Sequence, residues 1–121
     1  MRTVLVVDDH AETCEFLTAL LRMRGMNVLA VCDSTEAQNL ILRGLQPSLV
    51  VTDYRMPGLS GLDLISGLRT DPRTEQLPVV LLSASRITDR GDPYTVILRK
   101  PFDPEAFADL VEELSTARLF G

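Results

Sequence analysis

Short continuous runs of apolar residues alternate along this chain with longer segments in which apolar residues recur every three or four positions. The continuous runs are rich in valine, isoleucine and leucine, which is typical of strands buried on both faces of a parallel sheet. Five runs are predicted to form strands, at residues 4–7, 28–31, 49–51, 79–82 and 96–98.

The segments between these runs have the spacing of amphipathic helices. Ser34 and Ser60 are expected to cap the second and third helices, because a serine hydroxyl accepts a hydrogen bond from a free N–H of the first turn. Gly25 and Gly44 are expected to end the first two helices, and Pro104 to open the last one. The predicted apolar faces consist of Cys14, Leu17 and Leu20 or Leu21 in the first helix, Ala37, Leu40 and Ile41 in the second, Leu62, Leu64, Ile65 and Leu68 in the third, and Phe107, Leu110, Val111 and Leu114 in the last.

This alternation of strands and helices predicts an α/β fold, a doubly wound parallel sheet with right-handed crossovers. In such sheets the functional residues gather beyond the carboxyl ends of the strands. The residues that follow the predicted strands are therefore the first candidates for a functional site.

The composition limits what this fold can do. With 121 residues, 45% hydrophobic and 24% charged, the chain suits one globular domain over residues 1–121. No apolar run approaches the roughly 20 residues that cross a bilayer, and the first run ends in two aspartates rather than at a cleavage site, so we expect a cytoplasmic location without membrane contact. The net charge of −5 argues against direct binding of nucleic acid.

The cysteines and one pair of arginines receive structural interpretations. Cys14 and Cys32 stand in apolar surroundings and have no metal-ligand spacing, so both are expected to be small buried residues. Arg22 and Arg24, near the end of the first predicted helix, are expected to face solvent.

Polar residues stand at or just beyond four of the predicted strand ends. Asp8 and Asp9 follow the first strand, Asp53 the third, Ser83 the fourth and Lys100 the last. Three neighbouring carboxylates need a compensating cation, and a few carboxylates completed by water suit Mg²⁺. A carboxylate can also attack phosphorus to give an acyl phosphate, whose charge a metal ion and a lysine would neutralise. Each residue alone has a structural interpretation, such as Asp9 as a helix cap, but their convergence predicts phosphoryl-transfer chemistry.

The motifs around these residues resemble those of the receiver domains of bacterial two-component systems, over nearly the whole chain. The matching segments are Val-Val-Asp-Asp at 6–9, Val-Thr-Asp-Tyr-Arg-Met-Pro-Gly-Leu-Ser-Gly at 51–61, Leu-Leu-Ser-Ala at 81–84 and Lys-Pro-Phe at 100–102. Any one of these segments is weak, but together they are very specific. The resemblance implies a flavodoxin-like, five-stranded sheet of order 2-1-3-4-5.

The resemblance also implies how the site works. Asp53 would be the phosphoacceptor, and Asp8, Asp9, Asp53 and the backbone carbonyl of Arg55 would hold Mg²⁺. The donor would be a phosphohistidine on a histidine kinase or a histidine phosphotransfer protein, and the recipient of the signal a downstream effector or output domain. The chain would then be a signalling phosphoacceptor rather than an enzyme, catalysing only its own phosphoryl transfer and dephosphorylation. It would be a stand-alone receiver or a piece of a longer regulator.

Other residues receive roles from the same resemblance. Ser83 would be the switch hydroxyl, and Lys100 would bind the phosphoryl group, with a cis bond before Pro101. Ala84, which is small, would leave the site open to the donor. His10 is interpreted as a surface histidine at a helix start and not as a phosphoryl donor.

Three alternative functions fit these residues less well. An aspartyl-phosphate phosphatase or phosphotransferase would need a second aspartate where Arg55 stands, together with a cap domain. A non-phosphorylated interaction module of receiver fold would not require the retained acids and lysine. A flavodoxin-like cofactor binder would need a glycine or hydroxyl loop where Asp8, Asp9 and His10 follow the first strand.

The segment between the fourth and fifth strands departs from the family. Gly91 and Pro93 oppose a helix there, and Ile87 is its only aliphatic residue, so the fourth helix is predicted to be missing or reduced to about one turn. The family usually has an aromatic residue three positions before the strand-end lysine, where this chain has Ile97; Tyr94 is nearby but out of register. The usual output and dimer face is therefore expected to be altered.

Overall fold

The computed structural model is a parallel sheet between two layers of helices, and it describes residues 2–87 and 92–117. The strands are β1 (Thr3–Val7), β2 (Asn27–Val31), β3 (Leu49–Asp53), β4 (Val79–Ser83) and β5 (Thr95–Arg99), and the described helices are α1 (Ala11–Arg22), α2 (Ser34–Leu42), α3 (Gly61–Arg69) and α4 (Pro104–Ala117). Every predicted strand is present and extends slightly beyond its apolar run. None of the described helices is both long and apolar enough to cross a bilayer.

The order of the strands is β2-β1-β3-β4-β5, and all neighbours are parallel. The expected α/β fold and strand order are thus confirmed. In the register of the sheet, Val7 lies opposite Thr52, and Asp53 lies opposite Leu82. The residues that follow β1, β3 and β4 therefore meet at one edge of the sheet.

Alternate residues of the central strands face opposite sides of the sheet, and each side is buried by two of the described helices. On one side α2 and α3 pack over a cluster that includes Leu5, Val7, Ala37, Ile41, Val50, Leu64, Leu68 and Leu81. On the other side α1 and α4 pack over a cluster that includes Val4, Val6, Leu17, Leu21, Val51, Leu82, Phe107 and Val111.

Burial on both faces was predicted for every strand, but it holds only for the three central ones. The residues of β3 and β4 are all buried, and β1 is buried apart from its first residue. β2 and β5 form the edges of the sheet, and most of their residues are partly or fully exposed, including Leu29. An edge strand lacks a neighbour on one side, so its apolar residues are less completely covered.

The helix caps follow the predictions in one case and correct them in the other. Ser60 caps α3 through a reciprocal pair of hydrogen bonds with Asp63, as predicted. The cap of α2 is Asp33 rather than Ser34, because the Asp33 carboxylate accepts the Glu36 N–H at 2.7 Å. Ser34 is instead the first helical residue, and it is buried.

Two predictions about individual side chains were wrong. Cys32 is exposed, because it follows an edge strand rather than lying inside the core. Arg24 does not simply face solvent: its guanidinium lies 3.0 Å from Glu105, 2.8 Å from Asp109 and 3.1 Å from Glu112. These ion pairs join the end of α1 to α4.

The connection between β4 and β5 has no helix in residues 84–87 and 92–94, which agrees with the predicted loss of the fourth helix. Residues 88–91, including Gly91, lie outside the described residues.

The end of the connection is held by Arg69 of α3, whose Nε lies 3.0 Å from Asp92 and whose guanidinium donates to the Thr95 hydroxyl at 3.1 Å. The guanidinium carbon also lies 5.8 Å from the centre of the Tyr94 ring. Burial alone would raise the pKa of Asp92, but the charge of Arg69 and hydrogen bonds from the Tyr94 N–H and the Thr95 hydroxyl lower it below its ordinary value.

Candidate functional site

The carboxyl ends of β1 and β3 bring three aspartates together. Asp8 and Asp9 follow β1, and Asp53 is the last residue of β3. Ligand atoms of Asp8, Asp9, His10 and Asp53 all lie within 4.8 Å of one another. Asp8 and Asp53 are only 1% and 7% exposed, so water screens their mutual repulsion poorly.

Lys100 brings a positive charge to this cluster. Its main-chain N–H donates to the Ser83 carbonyl at 2.8 Å, which continues the β4–β5 ladder beyond Arg99. Its Nζ lies 2.8 Å from Asp53 Oδ1. The bond between Lys100 and Pro101 is cis, as the resemblance implied. One ammonium beside three carboxylates leaves the cluster with an excess of negative charge.

Asp8 is the most buried acid of the site. Its Oδ1 accepts the main-chain N–H of His10 at 2.8 Å, while its Oδ2 is buried and has no hydrogen-bond partner among the described residues. Burial raises the pKa of Asp8 above its ordinary value of 3.8, and the charge of Asp53 raises it further, against the opposing effect of the His10 hydrogen bonds. The Cys14 thiol donates to the Asp8 carbonyl at 3.2 Å and so ties α1 to this strand end.

These features fit a hard divalent cation. The donors are mainly carboxylate oxygens, their charge is not balanced, and one buried oxygen lacks a partner. A hard cation such as Mg²⁺ would bind the carboxylate oxygens, balance their charge and give the buried oxygen a partner. Mg²⁺ usually keeps several waters beside a few carboxylates. The additional ligand expected from the Arg55 carbonyl stays a prediction.

The Ser83 hydroxyl is buried at the end of β4, but its own loop engages it. It donates to the Ser85 carbonyl at 2.7 Å and accepts the Ser85 N–H at 3.1 Å. To donate to a phosphoryl oxygen on Asp53, the hydroxyl would have to leave the Ser85 carbonyl. Ala84 beside it is exposed and presents only a methyl group.

Arg55 lies two residues after Asp53, in the loop that follows β3. Its side chain is exposed, and its guanidinium carbon lies 5.9 Å from the centre of the Tyr54 ring. The two residues line a surface groove together with Met56, Pro57 and Ser60. The guanidinium is therefore near the acceptor strand without an ion-pair partner among the described residues.

Two residues of the site were not recognised from the sequence. His10 was expected to be an unremarkable surface residue, yet its ring nitrogen lies 3.2 Å from Asp8 and 3.2 Å from Asp9; the only signal was its place directly after the acid pair. Gly61 begins α3 against the acceptor strand, where its N–H donates to the Tyr54 carbonyl at 2.9 Å. A side chain at Gly61 would collide with the Asp53 carbonyl oxygen, so this close approach requires glycine.

Known proteins share the sequence pattern and the fold of this chain. The family model of the response regulator receiver domain matches residues 4–112. The DNA-binding response regulator MtrA of Mycobacterium tuberculosis is 36% identical over 110 residues, covering 84% of this chain and 45% of MtrA. Response regulator Rre1 of Synechocystis is 36% identical over 118 residues, covering 93% of this chain and 51% of Rre1. The chain thus spans about half the length of these curated relatives.

Solved structures give the same result. The Francisella response regulator 1452 receiver domain superimposes with a TM-score of 0.85 at 27% identity, covering 98% of this chain and 99% of the other. A response regulator from Chloroflexus aurantiacus superimposes with a TM-score of 0.85 at 28% identity, covering 95% and 98%.

Proposed function

The chain belongs to the response regulator receiver domain family, and from this premise we propose that it accepts a phosphoryl group from a phosphohistidine onto Asp53 in a reaction that depends on Mg²⁺. The family works in phosphorelay signalling. The observation that carries the proposal is the buried Asp53 carboxylate, 2.8 Å from Lys100 Nζ and within 4.8 Å of ligand atoms of Asp8 and Asp9.

In the transfer step, an Asp53 carboxylate oxygen forms a bond to the phosphorus of the donor. The bond between that phosphorus and the donor's imidazole nitrogen breaks, and the nitrogen keeps the electron pair. The product is an acyl phosphate on Asp53. Lys100 already contacts Asp53 Oδ1, so its ammonium stays close to the phosphoryl oxygens as their negative charge increases.

The acids of the site would hold the metal. Asp8, Asp9 and Asp53 would provide carboxylate oxygens, and Arg55 a main-chain carbonyl. When bound, Mg²⁺ supplies positive charge that stabilises the transferring group. Without a cation, Asp8 and Asp53 repel each other in a poorly hydrated environment.

The chain would act only on its own acyl phosphate. An enzyme that hydrolyses such an intermediate quickly needs an acid or base beside the acceptor, and the residue two positions after Asp53 is Arg55. A guanidinium cannot take a proton from water at neutral pH. We therefore propose a phosphorylated state that lasts long enough to signal.

We propose that the donor is a histidine kinase or histidine phosphotransfer protein in the cytoplasm, and that the readout is a changed protein-binding surface. The Ser83 hydroxyl would leave the Ser85 carbonyl for the phosphoryl group, and the loop after β4 would move with it. A relative is named as DNA-binding, but the net charge of −5 disfavours nucleic acid as a direct partner of this domain. An effector or output domain is the partner that fits.

The test is phosphorylation by acetyl phosphate, followed by intact mass. The wild type should gain the mass of one phosphoryl group with Mg²⁺ and almost none in EDTA, and Asp53→Asn should gain none in either buffer. Asp33→Asn is a matched control, because Asp33 caps α2 and asparagine caps equally well. An equal mass gain in wild type and Asp53→Asn would refute the proposal.

A further inference from the structure

We propose that His10 is a ligand of the divalent metal at the Asp8, Asp9 and Asp53 site. Its imidazole would raise the affinity of the site for Mn²⁺ relative to Mg²⁺, compared with a site of oxygen ligands alone. The inference rests on the proposed function, because it concerns the metal site of the phosphoacceptor.

The spacing of the ligand atoms suits shared coordination. His10 Nδ1 lies 3.2 Å from Asp8 Oδ1 and 3.2 Å from Asp9 Oδ1. Adjacent ligands of an octahedral ion with bonds of about 2.1–2.2 Å are separated by about 3.0–3.1 Å. The ring nitrogen therefore lies at the separation of a neighbouring octahedral position from each of the two oxygens. One ligand atom of Asp53 also lies within 4.8 Å of a ligand atom of each of the other three residues.

The buried carboxylate of Asp8 is an independent indication of a cation site. Its Oδ2 has no hydrogen-bond partner among the described residues, although Asp8 is only 1% exposed. Lys100, the ammonium of the site, is engaged with Asp53 Oδ1. A cation at the acid pair would complete both the charge and the coordination of this oxygen.

The backbone holds His10 in place while its ring stays available. His10 is the N-cap residue of α1, its N–H donates to Asp8 at 2.8 Å, and its carbonyl accepts the Cys14 N–H at 3.1 Å. The ring makes no capping hydrogen bond, and the side chain is 70% exposed. The imidazole is thus positioned by its main chain and by the 3.2 Å hydrogen bond between its Nδ1 and Asp8 Oδ1, and it stays open to solvent, from which an ion would enter.

A nitrogen ligand increases the affinity of the site for some metal ions more than for others. Mg²⁺ prefers oxygen ligands and keeps its waters, whereas imidazole is chiefly a ligand of transition metals. Mn²⁺ is the transition metal that shares the preference of Mg²⁺ for octahedral oxygen sites, so it is the ion that suits three carboxylates and one imidazole. Adding one imidazole to three carboxylates should therefore strengthen Mn²⁺ binding and leave Mg²⁺ binding nearly unchanged.

The test uses the full chain without histidine-containing tags. His10 is the sole histidine of the sequence, so any imidazole nitrogen that couples to bound Mn²⁺ belongs to it. Mn²⁺ affinity is measured by electron paramagnetic resonance, Mg²⁺ affinity by competition, and nitrogen coupling by pulsed measurements on the Mn²⁺ complex. His10→Asn removes the imidazole but retains a residue that caps helices well. Asp8→Ala locates the bound Mn²⁺ at this site.

We expect nitrogen coupling in the wild type and its loss in His10→Asn. The variant should bind Mn²⁺ about 10-fold more weakly or worse, since losing even an outer hydrogen-bonding partner of a metal ligand costs about 10–100-fold. Mg²⁺ affinity should change by less than about 3-fold. Mn²⁺ bound without nitrogen coupling, or equal loss of both metals, would overturn the role of His10 and leave phosphorylation of Asp53 intact. If neither metal binds the wild type, the proposed metal site itself fails.

Discussion

Replacing Asp8 with Asn should stabilise the metal-free protein at neutral pH. The Asp8 carboxylate is buried, its Oδ2 has no partner among the described residues, and Asp53 lies close by. Asparagine keeps an oxygen that can accept the His10 N–H, removes the charge, and replaces the unpartnered oxygen with an uncharged amide nitrogen. A residue expected to be essential for metal binding is therefore predicted to weaken the metal-free fold.

The size of the effect follows from the state of that oxygen. A buried polar group without a partner costs about 1–3 kcal/mol, and more when charged. The free energy of unfolding of Asp8→Asn should thus exceed that of the wild type by about 1–3 kcal/mol. In a domain of this size each additional kcal/mol raises Tm by about 3–6 °C.

The gain should depend on pH in a definite direction. Burial raises the pKa of Asp8 in the folded state above 3.8, so between pH 3.8 and that raised pKa the folded state binds more protons than the unfolded state. The contribution of Asp8 to stability therefore falls as pH rises through this window. Below pH 3.8 the Asp8 carboxyl is protonated in both the folded and the unfolded state, so its charge does not contribute to the difference in stability between wild type and Asp8→Asn. Above the pKa of the folded state the carboxyl is charged, and the stability gain of Asp8→Asn reaches its full size.

The assay is urea unfolding in EDTA, followed by circular dichroism at neutral and at acidic pH. Asp9→Asn removes the same charge from a side chain that is 27% exposed, so its gain should be smaller. Saturating Mg²⁺ should erase the advantage of Asp8→Asn, because the ion stabilises the folded protein that binds it. If Asp8→Asn is no more stable than wild type at neutral pH in EDTA, the account of the buried carboxylate is wrong.

Three further predictions concern the surroundings of the site. Gly61→Ala should lower the free energy of unfolding by about 1–3 kcal/mol in urea melts, because its Cβ would meet the Asp53 carbonyl. In the control Gly67→Ala the Cβ meets only the end of the Gln38 side chain at 3.1 Å, so the free energy of unfolding should fall less. Equal losses in the two variants would contradict this explanation. Arg55→Ala should shorten the lifetime of the phosphorylated form by intact mass, since a guanidinium near the phosphoryl group would be lost, whereas unchanged decay would show that Arg55 only faces solvent. Cross-linking should reveal no phosphorylation-dependent dimer through α4 and β5, because the described part of the preceding connection lacks the family's helix; such a dimer would refute an altered output face.

The sequence predicted the central sheet well because burial leaves a simple pattern. β1, β3 and β4 lie between helices, so they read as continuous apolar runs, and the parallel order then places Asp8, Asp53 and Ser83 at one edge. The sequence also predicted that the described residues between β4 and β5, 84–87 and 92–94, would form no regular helix, because glycine and proline replace an apolar stripe there. β2 and β5 looked equally buried in sequence, and only the assembled sheet shows that they are its edges.

The features that the sequence did not predict depend on which side-chain orientation tertiary packing selects. The ion pairs of Arg24 with α4 join residues 81 to 88 positions apart, and no local pattern encodes such a pairing. The Ser83 hydroxyl was expected to serve the phosphoryl group, but whether it first bonds Ser85 is decided by the turn of its loop. The contact of His10 with both acids likewise depends on a rotamer at the start of α1.

The most direct test of the central claim is chemical trapping of the phosphorylated residue. Borohydride reduces an aspartyl phosphate to homoserine, so peptide mapping after reduction identifies both the residue and the type of bond. If Asp53 is the phosphoacceptor, homoserine should appear at position 53 alone, in wild type treated with acetyl phosphate and Mg²⁺ and not in Asp53→Asn. Homoserine at another aspartate, or a phosphoryl mass gain that leaves every aspartate unreduced, would contradict it.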